Sequence, residues 1–113
     1  MAKDKTNKYS AVEGLLYSYS TLPYRKKNLE IDLKMNEDEE KRKELEQLEL
    51  TMEKIDNILA MLKQEDEIDY LIIKLRYLDK LTWEQIEQQL HMSVCQLILR
   101  RKNIILDKLL IML

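Results

Sequence analysis

Apolar residues recur every three or four positions between residues 45 and 62. The members of this seam are Leu45, Leu48, Met52, Ile55, Leu59 and Leu62. Such spacing places every member on one stripe of an α-helix, as the a and d positions of a coiled coil are placed. The chain has one glycine and one proline in 113 residues, so few turns interrupt its helical patterns. We therefore predict an all-α protein with long helices.

The seam allows two interpretations. Leu50, Ile58 and Met61 widen the stripe, which favours a helix that lies over the core of its own domain. Alternatively, the seam pairs with a second copy or with another protein as a coiled coil. Because fewer than three heptads is short for an isolated coil, the core helix is the preferred interpretation.

Three local signals predict where helices begin and end. Residues 1–9 are expected to be frayed, and Ser10 with Glu13 predicts a helix start by a capping box. Leu22-Pro23 is expected to end or bend that helix, since proline disfavours helical geometry in the residue before it. Asp66 is expected to cap a later helix. The apolar face of that later helix is Ile68, Leu71, Ile72, Leu75 and Leu78, with Tyr70 and Tyr77 at its borders.

Residues 36–44 contain no apolar side chain. They form either a solvated helix, supported by pairs such as Glu37–Lys41 and Glu39–Lys43, or a flexible connection. A helix that breaks near Asn36 is the preferred prediction. We divide the chain into a helical arm with the amphipathic helix at 1–65 and a second part at 66–113.

Two further helix starts lie eleven residues apart in the second part. Thr82 is followed by Gln85 and Ser93 by Gln96, and each pair fits a capping box. A short amphipathic helix with Trp83, Ile86 and Leu90 on one face separates the two starts. Two helices joined by a turn of three or four residues predict a helix-turn-helix, whose second helix can enter the DNA major groove.

Residues 66–113 resemble region 4 of bacterial sigma factors and the phage transcription regulators of the ArpU and RinA type. The resemblance rests on L-R-Y-L at 75–78, T-W-E-Q-I at 82–86 and L-H-M-S at 90–93. The segment V-E-G-L-L-Y-S-Y at 12–19 also resembles the opening of those regulators. The resemblance implies a regulator that binds promoter DNA in the host bacterial cell, either alone or alongside host RNA polymerase.

Three positions depart from the family pattern. Glu87 stands where the family usually has Ala, Gln89 where it has Leu, and His91 where it has Gly. Glu87 is expected to lie flat or point outward, because an unpaired buried charge is expensive. His91 is expected to be a surface or turn-capping residue and not a metal ligand.

The outward side of the second helix holds the residues predicted to contact DNA. Gln96 and Asn103 can each donate to and accept from adenine, and Leu99 can contact a thymine methyl group. The remaining predicted contacts are phosphate contacts by Arg100, Arg101 and Lys102 (or a guanine contact by Arg100), together with Thr82, Trp83 and Ser93 at the two helix starts. The alternative is that residues 100–102 form a solvated edge and that Gln96 is only a cap partner.

The last helix is apolar on two sides. Its core face is predicted to contain Leu97, Val94, Ile98, Ile104, Ile105, Leu109 and Met112. A second stripe contains Leu99, Leu106, Leu110 and Leu113, and it is expected to meet something else, such as a second copy. The alternative function depends on this stripe and on the seam at 45–62. It is a helical interaction module that has lost DNA reading and that self-associates or binds a partner protein.

Charge is distributed unevenly along the chain. The net charge is −2, but residues 1–34 carry +3, residues 35–69 carry −8 and residues 70–113 carry +3. A basic C-terminal part suits local contact with double-stranded DNA. Three basic residues supply limited electrostatic affinity, so a monomer is expected to bind DNA weakly and to need a homo-oligomer or RNA polymerase.

Other classes of function find little support in the sequence. No glycine-rich phosphate loop or nucleophile–histidine pair is present, so we expect neither an enzyme nor a cofactor. The single cysteine, Cys95, excludes an intramolecular disulfide and a cysteine-based zinc site. No stretch reaches eighteen apolar residues, and the N-terminus lacks an apolar signal core. A soluble cytoplasmic protein is the expectation.

Overall fold

The computed structural model describes the backbone of residues 2–113 and the side chains of residues 7–113. In this range all regular secondary structure is helical, which confirms that the protein is all-α. The helices are α1 Ala2–Ser18, α2 Leu22–Met35, α3 Glu39–Glu65, α4 Glu67–Ile73, α5 Trp83–Leu90 and α6 Val94–Ile104. A 3-10 turn (Tyr19–Thr21) precedes α2, and π-helical turns continue α4 (Lys74–Leu78) and α6 (Ile105–Leu109), with Leu110–Met112 as a last helical turn.

The start predicted at Ser10 is wrong. Helix α1 begins at Ala2 and runs through Ser10, so residues 2–9 are helical and not frayed, while Met1 lies outside the described residues. The reason is tertiary. Val12 and Leu16 of α1 are buried in the core, and Glu13 pairs with Arg101 instead of capping its own helix.

The breaks predicted at Pro23 and near Asn36 are confirmed. Proline lies in the first turn of α2, where its missing N–H is not needed. Asn36 and Asp38 have extended backbones between α2 and α3, and the Asp38 carboxylate accepts from the N–H groups of Glu40 (2.9 Å) and Lys41 (3.3 Å). Residues 39–44 are helical.

The ion pairs expected beside this break are not the ones formed. Arg42 contacts Glu37 at 2.6 Å, and Lys41 contacts Asp32 of α2 at 3.4 Å. Spacing of four residues brings side chains together only within one helix. Because Glu37 lies in the turn before α3, that rule does not apply to it.

The seam of α3 packs against its own chain. Five of its six members are buried and Met52 is half-buried, with α2 on one side and α4 on the other. This agrees with the core-helix interpretation and leaves the seam unavailable for a coiled coil with a second copy. In the part of the chain that the structure describes, no helix combines the length and apolar character needed to cross a membrane.

Each of the two π-helical turns contains a deeply buried side chain, Tyr77 in the first and Leu109 in the second. Tyr77 is five positions from the buried Ile72 and four from the buried Ile73. Leu109 is likewise five positions from Ile104 and four from Ile105, and both of these are buried. A π turn adds one residue to a helical turn, so positions four and five residues apart can lie on the same side. Tyr77 is therefore in the core and not at the border.

The predicted core face of the last helix also needs a correction. Leu97, Ile104, Ile105 and Leu109 are buried, but Ile98 and Met112 are 37% and 36% exposed. The second stripe is divided. Leu99 is 60% exposed, whereas Leu110 and Leu113 are half-buried against the core, because α1 lies over this end of the chain.

Candidate nucleic-acid interface

Helices α5 and α6 are both fixed by caps of the predicted kind. The Thr82 hydroxyl accepts from the Gln85 N–H at 3.2 Å, and the Gln85 side-chain oxygen accepts from the Thr82 N–H at 2.9 Å. Ser93 and Gln96 form the same reciprocal pair, with both distances at 3.2 Å. Both capping boxes are confirmed, and each helix begins at the residue directly after its cap.

The connection between the two helices is short because His91 adopts a left-handed conformation. Its φ is 57° and its ψ is 40°, and its N–H donates to the Glu87 carbonyl at 2.8 Å. A residue in this conformation ends a helix by satisfying one of its last carbonyl groups. His91 is thus the turn-capping residue that the sequence predicted, and only residues 91–93 separate α5 from α6.

Glu87 lies on the surface, as expected, but it also has a structural role. Its carboxylate accepts from the N–H of Val94, the first residue of α6, at 3.0 Å. A carboxylate at a helix N-terminus is stabilised by the partial positive charge of that end. It also places a negative charge at the end of α6 that is nearest to the turn.

Four of the predicted DNA contacts lie on one exposed side of α6. We call Gln96, Leu99, Lys102 and Asn103 the α6 face, and all four are exposed. They fall within roughly 120° of the helix circumference. The Gln96 side-chain oxygen is occupied by the Ser93 cap, which leaves its two N–H groups for another partner.

Arg100 points to another side of α6 and joins that helix to α4. Its guanidinium donates to Asp69 at 2.6 Å and to Asp66 at 2.9 Å, and Lys108 contacts the second oxygen of Asp69 at 2.9 Å. Asp69 is 5% exposed. Hydrogen bonding to Asp69 raises the pKa of Arg100, against the opposing effect of burial. Arg100 would have to leave these carboxylates to reach a phosphate or a guanine.

Arg101 is the centre of a second polar cluster, which joins α6 to α1. Its guanidinium lies 3.1 Å from the Glu13 carboxylate and 3.4 Å from the Tyr77 hydroxyl, and the Tyr77 hydroxyl donates to the same Glu13 oxygen at 2.7 Å. Burial raises the pKa of Tyr77, with Glu13 adding to the effect and Arg101 opposing it. We call Glu13, Tyr77, Trp83 and Arg101 the Arg101 cluster.

Trp83 contacts the arginines of this region through its indole ring. The guanidinium groups of Arg76 and Arg101 lie 4.7 Å and 5.2 Å from the ring centroid. Cations over an indole face are attracted to it, and contacts of this kind are strongest where water is excluded. Trp83 is half-buried, whereas Thr82 and Ser93 are exposed at the two helix starts.

The Arg101 cluster is the part of the site that the sequence did not predict. Glu13 and Arg101 are 88 positions apart, and no local spacing links them. One signal was nevertheless present. Consecutive residues of a helix point about 100° apart, so Arg100, Arg101 and Lys102 cannot all face one duplex. The structure brings Lys102 together with Gln96, Leu99 and Asn103, and it directs the two arginines toward α4 and α1.

Comparison with known proteins identifies a family without identifying an activity. No curated protein and no solved structure matches the chain. One family model matches residues 20–108, which include α2 through α6 and most of the final π-helical turn. On this match the chain belongs to the DUF722 family, described as proteins of unknown function.

Proposed function

We propose that this protein is a DNA-binding transcription regulator of phage or prophage type, in which α5 and α6 act as a helix-turn-helix. Helix α6 is the recognition helix and the α6 face enters the major groove. Asn103 and the free N–H groups of Gln96 contact base edges, Leu99 contacts a thymine methyl group, and Lys102 neutralises a phosphate. Host RNA polymerase is a second expected partner.

The observation that supports DNA binding most directly is the open α6 face. Gln96, Leu99, Lys102 and Asn103 remain exposed although the opposite side of α6 is buried in the core. Two amides and a lysine on one helix side suit base and phosphate contact. Direct readout needs a helix whose exposed side chains are held in register by a rigid scaffold.

The two arginine clusters supply that scaffold. Arg100 ties α6 to α4 and Arg101 ties it to α1, so both flanks of the helix are anchored by ion pairs. Their guanidinium groups then orient the α6 face instead of contacting DNA. The proposal therefore assigns direct contact to Gln96, Leu99, Lys102 and Asn103, and support to Trp83, Arg100 and Arg101.

This assignment predicts weak electrostatics. Lys102 is the basic member of the α6 face, and the Glu87 carboxylate lies at the N-terminal end of the helix. Each neutralised phosphate contributes about 0.9 to the slope of log affinity against log salt concentration. We expect a shallow slope, low non-specific affinity and a dependence on a second DNA-contacting subunit.

The first experiment selects sequences from a random duplex pool and then measures affinity by fluorescence anisotropy. Gln96→Glu with Asn103→Ala keeps the capping box, because glutamate is also a cap partner, but it removes the amide donors. We expect this variant to lose about ten- to a hundredfold in affinity for the selected duplex. The matched control is Gln47→Ala with Asn57→Ala, two exposed amides on α3, and it should bind as the unaltered protein does.

Lys102→Ala tests the phosphate contact separately. It should weaken binding to selected and random duplexes equally, and it should lower the slope of log affinity against log salt concentration by about one. Lys54→Ala on α3 should have neither effect. Failure to enrich any sequence with a folded protein would contradict DNA reading. So would equal losses for the α6 variant and its α3 control.

A helical interaction module is the second candidate, and one observation favours it. Leu99 and Ile98 leave 60% and 37% of their surfaces exposed beside each other on α6. Exposed apolar neighbours commonly mark protein contact sites. With a purified partner such as host RNA polymerase, this candidate predicts that Leu99→Lys abolishes binding while Asn103→Ala leaves it unchanged. DNA reading predicts the larger effect at Asn103.

A further inference from the structure

Helix α2 buries one side and leaves the opposite side without a partner. Leu22 and Leu29 are buried, at 3% and 8% exposure, and Leu33 packs beside them against the core. On the other side, Tyr24 is 76% exposed, Ile31 is 45% exposed and Met35 is 82% exposed. Three large apolar side chains on one short helix are more than scattered surface residues normally provide.

These residues follow a regular spacing. Together with the exposed Asn28 they occupy positions 24, 28, 31 and 35, separated by four, three and four residues. We call these four residues the α2 stripe. They lie within roughly 60° of the helix circumference and have the spacing of the d and a positions of a coiled coil. Neither the family match nor the proposed DNA contact accounts for them.

We propose that the α2 stripe binds the α2 stripe of a second copy of this chain, with the two helices parallel and in register. The first argument is Asn28, which falls at an a position within an otherwise apolar seam. A single asparagine at an a position favours a parallel pair in one register, because the two amides can hydrogen-bond to each other. A seam that met an apolar partner would leave this amide unsatisfied.

The second argument is charge. In a parallel pair, the residue before an a position faces the residue five places later in the other copy. Lys27 then faces Asp32 of the second copy, and symmetry provides this contact twice. In an antiparallel pair, Lys27 would instead face Lys34, and this repulsion would offset the attraction between Arg25 and Asp32. Charge complementarity therefore favours two parallel copies.

The ion pairs that charged residues of α2 already form within the chain are compatible with this arrangement. Asp32 contacts Lys41 of its own chain at 3.4 Å through one oxygen and is 46% exposed. Its carboxylate can accept from a second lysine, since an ionised carboxylate has about four acceptor sites. Lys26 pairs with Glu30 along the helix at 3.9 Å and lies outside the stripe.

The expected affinity follows from the size of the stripe. A pair of helices joined over three turns buries less than the roughly 800 Å² per partner of a standard stable interface. We expect a dissociation constant in the micromolar range, at roughly 1 to 100 μM. The stripe is on α2 and the proposed DNA contacts are on α6, so the association does not rest on the proposed function. If both hold, a dimer presents two α6 faces to one duplex.

Sedimentation equilibrium of the full chain without DNA tests the proposal. The mass should rise from 13.7 kDa toward twice that value as protein concentration increases through the micromolar range. Ile31→Lys with Met35→Lys should leave a monomer at every concentration. The control Leu50→Lys changes a leucine on α3 that is 53% exposed, and it should associate as the unaltered chain does.

A charge exchange tests the parallel arrangement. Lys27→Glu and Asp32→Lys should each weaken association, and the two together should restore it, because the facing charges are then exchanged. If Asp32→Lys weakened association only by breaking the Asp32–Lys41 pair, adding Lys27→Glu would not restore association. Ile31→Cys in a Cys95→Ser background should oxidise to a covalent dimer, since d positions of a parallel pair face their own copies.

Several results would overturn the proposal. One is a mass that stays at 13.7 kDa at all concentrations of the purified chain. This result would overturn the proposal even if the α2 stripe bound another protein. Another is a dimer that survives the Ile31→Lys and Met35→Lys substitutions, or one without rescue by charge exchange. The Gln96→Glu and Asn103→Ala variant should dimerise normally. A failure of DNA binding is therefore distinguishable from a failure of association.

Discussion

Glu13 of α1 and Arg101 of α6 form an ion pair of 3.1 Å across 88 positions of the chain. The pair is largely enclosed, because the Arg101 side chain is 18% exposed and that of Glu13 is 25% exposed. Tyr77 donates to the same carboxylate, and Trp83 lies under the guanidinium. The first helix of the chain therefore holds the last one in place, and the orientation of the α6 face depends on α1.

Loss of this pair should destabilise the fold. Glu13→Gln removes the charge that faces Arg101 and leaves a partly buried guanidinium with a neutral partner. We expect the free energy of unfolding to fall by about 1–3 kcal/mol, the cost of weakening a charged hydrogen bond in a restricted site. Urea denaturation followed by circular dichroism measures it. The exposed Glu46→Gln serves as the control, and an equal effect there would contradict the structural role of Glu13.

Gly14 offers a stabilising substitution. It lies inside α1, and a Cβ built on it meets nothing within 4 Å. Glycine in a helix interior costs about 0.5–1 kcal/mol relative to alanine, chiefly through the entropy of the unfolded chain. Gly14→Ala should therefore raise the free energy of unfolding by that amount in urea denaturation. No gain, or a loss, would indicate that α1 is not helical at this position.

His91 should tolerate glycine better than a branched residue. Its φ of 57° lies in the left-handed region, where side chains other than glycine are strained by about 1–2 kcal/mol. We expect His91→Gly to stabilise the fold by up to about 1 kcal/mol and His91→Val to destabilise it. Thermal and urea denaturation of both variants check the direction. A loss of stability with glycine would show that the imidazole makes a contact of its own.

Two apolar residues near the C-terminus differ sharply in burial. Leu109 is fully buried, whereas Ile111 is 81% exposed. We expect Leu109→Ala to lower the free energy of unfolding by about 2–5 kcal/mol and Ile111→Ala to change it by less than about 0.5 kcal/mol. Urea denaturation compares the two. Similar losses would contradict the burial of Leu109 in the core.

Acid should weaken the connection between α4 and α6. The Asp69 backbone N–H and the charge of Arg100 lower the pKa of Asp66 from its ordinary value of 3.8. A lowered pKa means that this carboxylate stabilises the fold above the unfolded value and that the contribution is lost as the pH falls through the folded value. We expect the free energy of unfolding to decrease below about pH 4.

Asp66→Asn isolates this effect. Asparagine also caps helices well, so the variant keeps the start of α4 but removes the titrating group. Its free energy of unfolding should fall less steeply in acid than that of the unaltered protein, when urea denaturation is repeated across pH. An exposed control, Glu49→Gln, should leave the steepness unchanged. If the free energy of unfolding fell equally steeply in acid for Asp66→Asn and the unaltered chain, the stabilising role of the Asp66 carboxylate would be contradicted.

Local signals predicted much of the fold. The boxes at Thr82 and Ser93, the cap at Asp66 and the breaks at Pro23 and Asn36 were all readable, because each involves residues within about four positions of one another. Ser10 shows where such signals fail. Its spacing to Glu13 satisfies a capping box, but the burial of Val12 and Leu16 and the pair with Arg101 keep α1 continuous through that position.

The sequence by itself determined that the chain is helical, where its central and C-terminal helices begin, and which side of α3 is apolar. Only the tertiary structure decided which partner each charged side chain takes. Arg100 bonds to Asp69 and Arg101 to Glu13, while Lys102 stays exposed, although the three are consecutive. The physical reason is that caps and periodicity act over one or two helical turns. Ion pairs across 31 and 88 positions exist only once α1, α4 and α6 have packed together.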